Sequence, residues 1–489
     1  MGRHIPFLLL IRFPSYSSSW SIHRNLSPLS SYNVCWKCGT QNQNFASLSS
    51  SQPRRSRPPP MSKKDRRLNR EAETPVYEYN KINVTKNRLY VFGTAYHGEI
   101  GLETLIRPKD PDTKTHLFMW KPVRHKFAEF HDLTDIVAGH GFSLFSIKPK
   151  GENSPFVFGC GRNGSSQLGY QAARKDGPLE TLLSIVPLPI SGGKNSRVLA
   201  IGAGRAHSLV SVRGEGLFSL GDNSSGQCGR RVITDEAYFG SKYVHKFNRF
   251  KEDEVVAISS RFDVSICVTQ SGRVFTCGTN NKGQLGRGKD NKFWDFQQVG
   301  GDLQGECVKK VVTSGSSVIA LTENGQLFSW GCNEVGQANP NEPGKILYHP
   351  QYVKLPPGID KVIDIAMGDY FAFLLNQQGN VYVWGYGSSL GLGPTTTRVK
   401  TPTQLPPPLF GCNQFSPDVQ VVNIAASFMY NAAINSLGDL YTWGQDQNGC
   451  LGLGKMKHQY FPLRVGLGGA ARKISLGIDH SLVIARGGA

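Results

Sequence analysis

A chain of 489 residues with 39% hydrophobic and 10% aromatic content can bury a substantial core. No apolar run approaches the roughly 18 residues of a membrane-spanning helix, and 55 glycines, above the usual roughly 7% share, require many tight turns. The net charge of +19 is uneven: residues 1–70 hold twelve Lys/Arg against Asp65 alone, leaving a mild +8 for 71–489 that permits an RNA or phosphate surface without demanding one.

Residues 1–64 contain no Asp or Glu, many Ser and scattered Arg, as in "IRFPSYSSSWSIHRNLS". This is the composition of an organellar presequence, mitochondrial ahead of plastid. A secretory signal fits less well, because the apolar run at 7–11 is short and no small-residue cleavage site follows it. The expected organisation is a presequence over 1–64, a basic and polar linker over 65–87, and a folded body over 88–489. Cys35 and Cys38 form a lone CxxC within the leader, with no second pair to complete a zinc site. Neither a metal nor another cofactor is expected.

The body repeats itself, the first thing to seek in a long chain. "CGTNNKGQLG" (277–286) stands beside "LGDNSSGQCG" (220–229), "WGCNEVGQAN" (330–339) and "WGQDQNGCLG" (443–452). Looser copies are "FGTAYHGEIGL" (92–102), "CGRNGSSQLG" (160–169) and "WGYGSSLGLG" (384–393). Their leading glycines, at 93, 161, 221, 278, 331, 385 and 444, are 53 to 68 residues apart. A second motif alternates with the first seven times, from "AGHGFSLFSI" (138–147) to "GIDHSLVIA" (477–485). Between them run Gly turns and short alternating strands, as in "ENGQLFSWG" and "SLGDLYTWG".

Each unit is therefore a small antiparallel sheet that cannot bury its own faces, and seven of them predict an all-β, seven-bladed propeller. The body starts on an outer-strand motif, "NRLYVFGT", and finishes on an inner one, "KISLGIDHSLVIA". These half-units predict one blade shared by both ends, with 88–92 pairing onto the sheet that contains 477–485. Cys160, Cys277, Cys332 and Cys450 fall in equivalent slots, which points to packing as reduced thiols. "GCGRNG" (159–164) matches GxGxxG, but it sits in a repeat slot without a βαβ unit and reads as architecture.

The pairing of "GRAHS" and "GIDHS" with "LFSWGCNEVGQAN" resembles the regulator of chromosome condensation repeat over about 89–485. The resemblance implies a seven-bladed propeller, in a family whose founder exchanges nucleotide on the nuclear GTPase Ran. "PVYEY" after a basic leader, "NSSGQCGRRV", "PPPLFG" and "HQYFPLRV" are similar to a mitochondrial branch of that family. That branch implies a non-enzymatic protein of the matrix or peripheral to the inner membrane. Two roles follow from it: nucleotide exchange on the dynamin-like GTPase that fuses inner membranes, and assembly of the large mitochondrial ribosomal subunit with its rRNA. A scaffold without exchange activity is the alternative.

In the founder, acids and a histidine of the inner turns face the GTPase. The positions here that match are Asp263, Asp369, Asp479, His207 and His480, although the same residues serve equally to bond neighbouring blades. The insert 229–250 carries Arg230, Arg231, Lys242, His245 and Lys246 among Tyr238, Phe239 and Tyr243. It reads as a wedge against a GTPase, as an RNA surface, or as a plain connection packed on its blade. Similar inserts run over 103–135 and 170–196.

Overall fold

The computed structural model describes residues 87–108, 114–151, 154–172, 177–193, 196–289 and 293–487. The presequence and the linker up to residue 86 lie outside these residues; Asn87, assigned to the linker, opens the first strand of the body instead. Seven four-stranded antiparallel sheets stand around one axis. Their innermost strands are Leu133–Ala138, Val198–Ala203, Val255–Arg261, Val308–Thr313, Val362–Met367, Val421–Ala426 and Gly469–Leu476, and they define blades 1 to 7 in that order.

Blade 7 is the predicted composite. Gly469–Leu476 and His480–Gly487 come from one end of the body, Asn87–Thr94 and Phe118–His125 from the other. The join runs from Asn87 opposite Arg486 to Gly93 opposite His480 without a break in register. Seven paired residues at one seam leave no open blade edge there for another chain to join.

The second strand of every blade is the most apolar because neighbouring blades cover both of its faces. Ser317–Thr322, Phe371–Asn376 and Tyr430–Asn435 are buried at every position. This explains unbroken runs such as "FAFLLN" where a half-exposed strand would alternate. Trp330, Trp384 and Trp443 fill the space between blades 3 to 6 and are at most 1% exposed. Burying each large aromatic contributes roughly 2–3 kcal/mol by area alone.

Antiparallel order brings the turn after the first strand and the glycine loop after the third to the same end of each blade. This end is the loop face. The repeated glycine is required there by geometry. All seven leading glycines have φ between +93° and +114°, and a Cβ at Gly385 would overlap the carbonyl oxygen of Tyr370 on the adjacent strand. Beyond the glycine, the motif bonds itself. In blades 1 to 4 the loop asparagine, for example Asn280, accepts the N–H of the residue five further on, at 2.9 to 3.1 Å. The following Gln accepts the N–H two residues before it, at 2.7 to 3.1 Å.

Gly385→Ala is expected to cost about 2–4 kcal/mol, combining backbone strain with a steric overlap. Gly344→Ala shares a positive φ of 85° but meets nothing within 4 Å, and should cost about 1 kcal/mol. Chemical denaturation of the two variants checks the difference; equal losses would refute the steric account.

Candidate functional site at the loop face

Each loop hands one carbonyl to the next blade. Ser143 Oγ donates to Glu99 O at 2.6 Å, Ser208 to Gln167 O at 2.7 Å, Ser265 to Gln227 O at 2.7 Å and Ser481 to Cys450 O at 2.9 Å. Asn431 Nδ2 does the same for Ser389 O at 2.7 Å. In the two blades where that slot is apolar, Val318 and Ala372, tryptophan takes over. Trp330 Nε1 donates to Gln284 O at 3.0 Å and Trp384 Nε1 to Gln337 O at 3.1 Å. The seven bonds complete a ring.

His207 and His480 belong to this ring, which corrects their assignment to a partner surface. Both are 0% exposed. Their Nε2 atoms meet Ser265 and Ser143 of the next blade at 2.8 and 2.9 Å. Burial holds His207 down to about 4, so its ring stays neutral near pH 7. Asp479 lies against His480 Nδ1 at 3.1 Å. Burial pushes its carboxyl up, but His480 and the nearby His140 and His97 outweigh this and hold it below the ordinary range.

Glu99 occupies the slot that Gln fills in blades 1 to 4, with Oε2 accepting His97 N–H at 2.7 Å. It is fully buried and its Oε1 has no hydrogen-bond partner. Burial raises its pKa from 4.5 to about 7, so below that pH it takes the place of Gln as a neutral acid. A carboxyl raised on folding favours the fold below its unfolded value and loses that contribution as pH climbs through the folded one. Glu99→Gln should therefore match the parent below about pH 4.5 and exceed it by roughly 3 kcal/mol above pH 7. Denaturant melts at pH 4.5, 6 and 8 check this, and a pH-independent difference would refute it.

Two acids remain at the surface. Asp263 is held by Arg205, with Nη2 to Oδ2 at 2.7 Å and Nε to Oδ1 at 3.1 Å. Burial nevertheless pushes it above the ordinary carboxylate range. Asp369 is pushed up to about 6 by burial, against the opposing Tyr370 hydrogen bond and Arg261 charge. Strand register places Asp369 one position earlier in its turn than Asp263 and Asp479, so it is not equivalent to them. Blade 4 lies between, with the small turn of Ser314, Gly315 and Ser316. It leaves a notch of about 260 Å³ bounded by Asp263, Asp369, Phe262 and Lys282. Sequence reading finds the two acids but not the notch, whose signal was a turn lacking any bulky residue.

The insert 229–250 is a connection. It ends as His245–Phe247, the outer strand of blade 2, and no wedge projects from it. Its bases are largely engaged, contrary to the reading of them as one RNA surface. Arg230 pairs with Glu236 at 2.5 Å and lies over Tyr243, Lys246 pairs with Glu215 at 2.6 Å, and Tyr243 meets His245 at 2.7 Å. Arg231 and Lys242 have no carboxylate partner among the described residues; Lys242 lies over the Tyr170 ring. The inserts over 103–135 and 170–196 likewise supply the outer strands Phe118–His125 and Thr181–Pro187.

A seven-bladed ring closed by both ends of the body, with variable turns on one face, defines a propeller of the regulator of chromosome condensation class. The regulator of chromosome condensation (RCC1) repeat matches residues 271–321, 324–375 and 438–484. The chain is 36% identical over 425 residues to the mouse RCC1-like G exchanging factor-like protein, covering 85% of this chain and 91% of that one. The crystal structure of human WBSCR16 superposes with a TM-score of 0.76 at 34% identity, covering 82% of this chain and all of that one. Yeast Prp20p shares the fold, with a TM-score of 0.65 at 19% identity over 83% of this chain and 92% of its own. The chain belongs to the RCC1 repeat family, among its RCC1-like G exchanging factor-like proteins.

Proposed function

We propose that this propeller is a mitochondrial guanine nucleotide exchange factor, acting by binding and not by covalent catalysis. Its partner in this reading is the dynamin-like GTPase that fuses inner membranes. The observation that carries it is the notch between Asp263 and Asp369. Exchange requires a surface that binds the nucleotide-free GTPase more tightly than the loaded one. A carboxylate already stripped of water gains most from a cation brought against it, because it has little hydration left to lose. The lysine and Mg²⁺ that hold a bound nucleotide's phosphates are cations that such a carboxylate would compete for.

Asp369 must be ionised to act in this way. Nucleotide release from the partner GTPase should therefore fall as pH drops through about 6. Asp369→Asn should lower release at pH 7.5 at least tenfold, about 1.4 kcal/mol, and flatten the pH profile without lowering the melting temperature, because burial makes the ionised carboxyl a cost to the fold at that pH. Asp479→Asn differs, because removing the partner of His480 should lower stability as well. Stopped-flow release of a fluorescent guanine nucleotide checks both; full activity in Asp369→Asn would refute the assignment.

The second role, assembly of the large ribosomal subunit, has narrower support in Arg231 and Lys242. Replacing both with Gln should weaken large-subunit rRNA association and reduce its salt dependence, with nucleotide release unchanged. If neither pair of variants changes either activity, the multi-protein scaffold becomes the better account.

The address rests on the acid-free leader. Deleting residues 1–60 should abolish mitochondrial residence, scored by fractionation and by imaging of a C-terminal fusion. Full residence without the leader would refute it.

A further inference from the structure

Blade 3 reaches across the axial channel. Where six blades end the inner strand and turn on Gly139, Gly204, Ser314, Gly368, Ser427 or Gly477, the strand of blade 3 runs one residue further and carries Arg261 at the matching position. Six small residues leave space on the axis, and Arg261 fills it. Its Nη2 donates to Ala426 O of blade 6, three blades away around the ring, at 3.4 Å. One position on, Phe262 meets Phe428 of the same blade edge to face, with centroids 6.0 Å apart. The loop-face end of the channel is thus bridged, and the opposite end is the way in.

The channel encloses about 450 Å³, and Arg261 is part of its lining. Lys310 and Lys473 line it too, but each is paired with an acid of the neighbouring blade, Asp364 and Asp135. Arg261 has no ion pair among the described residues, and its buried Nη1 has no hydrogen-bond partner. Burial depresses its basicity, offset only in part by Tyr430 and Asp369. A buried guanidinium with a single hydrogen bond and no ion pair is costly to the fold, and groups kept at such cost are commonly functional.

We propose that the channel is a blind binding site for a small monocarboxylate, entered from the face opposite the loops and anchored by Arg261. One guanidinium without an ion pair among the described residues selects a monoanion. A planar guanidinium matches the two oxygens of a carboxylate better than a point charge does. Val137, Val312 and Ala425, half-buried on the channel wall, suit a short apolar tail. The channel shares no lining residue with the notch, and the proposal does not rest on a GTPase partner.

The test is calorimetric titration of the full chain with acetate at constant ionic strength and constant chloride, with inorganic phosphate as a parallel arm. Saturable acetate binding at one site is expected, at least tenfold weaker in Arg261→Gln. That variant should also melt above the parent, because an unpaired buried charge is gone. Arg261→Lys keeps the charge without the fork and should bind acetate at least threefold more weakly; it carries the test if Arg261→Gln fails to fold. Absent saturable binding, equal binding by the variants, or tighter binding of phosphate than of acetate would overturn the proposal. A melting temperature for Arg261→Gln below that of the parent would also overturn it, by showing that Arg261 is only a brace.

Discussion

A carbonyl passed from each loop to the next blade holds this ring together, and most other features of the chain can be traced to it. The donor varies with its surroundings: Ser in four blades, Asn in one, and Trp in the two where Val318 and Ala372 cannot donate. An unpaired buried carbonyl costs about 1–3 kcal/mol, so the bond is kept although the side chain that makes it is not. Trp443 shows the same logic in reverse. With Asn431 already bonding the loop of blade 5, its indole N–H is left without a partner.

That constraint separates the polar residues of the loop face into two sets. His207, His480 and Glu99 face the interior and bond or abut the ring, where burial keeps His207 and Glu99 neutral near pH 7 or just below it. Asp263 and Asp369 lie one layer further out and flank the blade with the smallest turn. Because the ring is made by the glycine loops, the outward residues of the turns beside them are free to differ from blade to blade. The chemistry of a partner surface can then sit on a symmetric scaffold without disturbing it.

The channel shows the opposite arrangement. Neighbouring blades neutralise Lys310 and Lys473 with Asp364 and Asp135, so charge on the wall is balanced between adjacent strands. Arg261 breaks this pattern and spans three blades to find one carbonyl. A local departure from an otherwise consistent design is where function is most often found. The two unusual groups, Asp369 and Arg261, also influence one another electrostatically at the same end of the axis.

The sequence by itself determined the number of blades, the composite closure and the turn glycines. Those features are local: a glycine at positive φ, an asparagine bonding five residues ahead, and a strand with both faces covered each leave a signature within about ten residues. It also marked Asp263, Asp369, His207 and His480 as candidates, because they stand in the turn motif before the second strand of a blade. It could not separate the fully buried histidines from the partly buried acids, because position in the motif does not say whether a neighbouring blade covers a side chain. Only the tertiary structure decided that His207 meets Ser265, 58 residues on, that Arg230 and Lys246 of the insert are already paired, and that Ser314, Gly315 and Ser316 leave a notch. Arg261 is the clearest case. Its partner carbonyl lies 165 residues away on the far side of the axis, a relation that exists only once seven blades have closed into a ring.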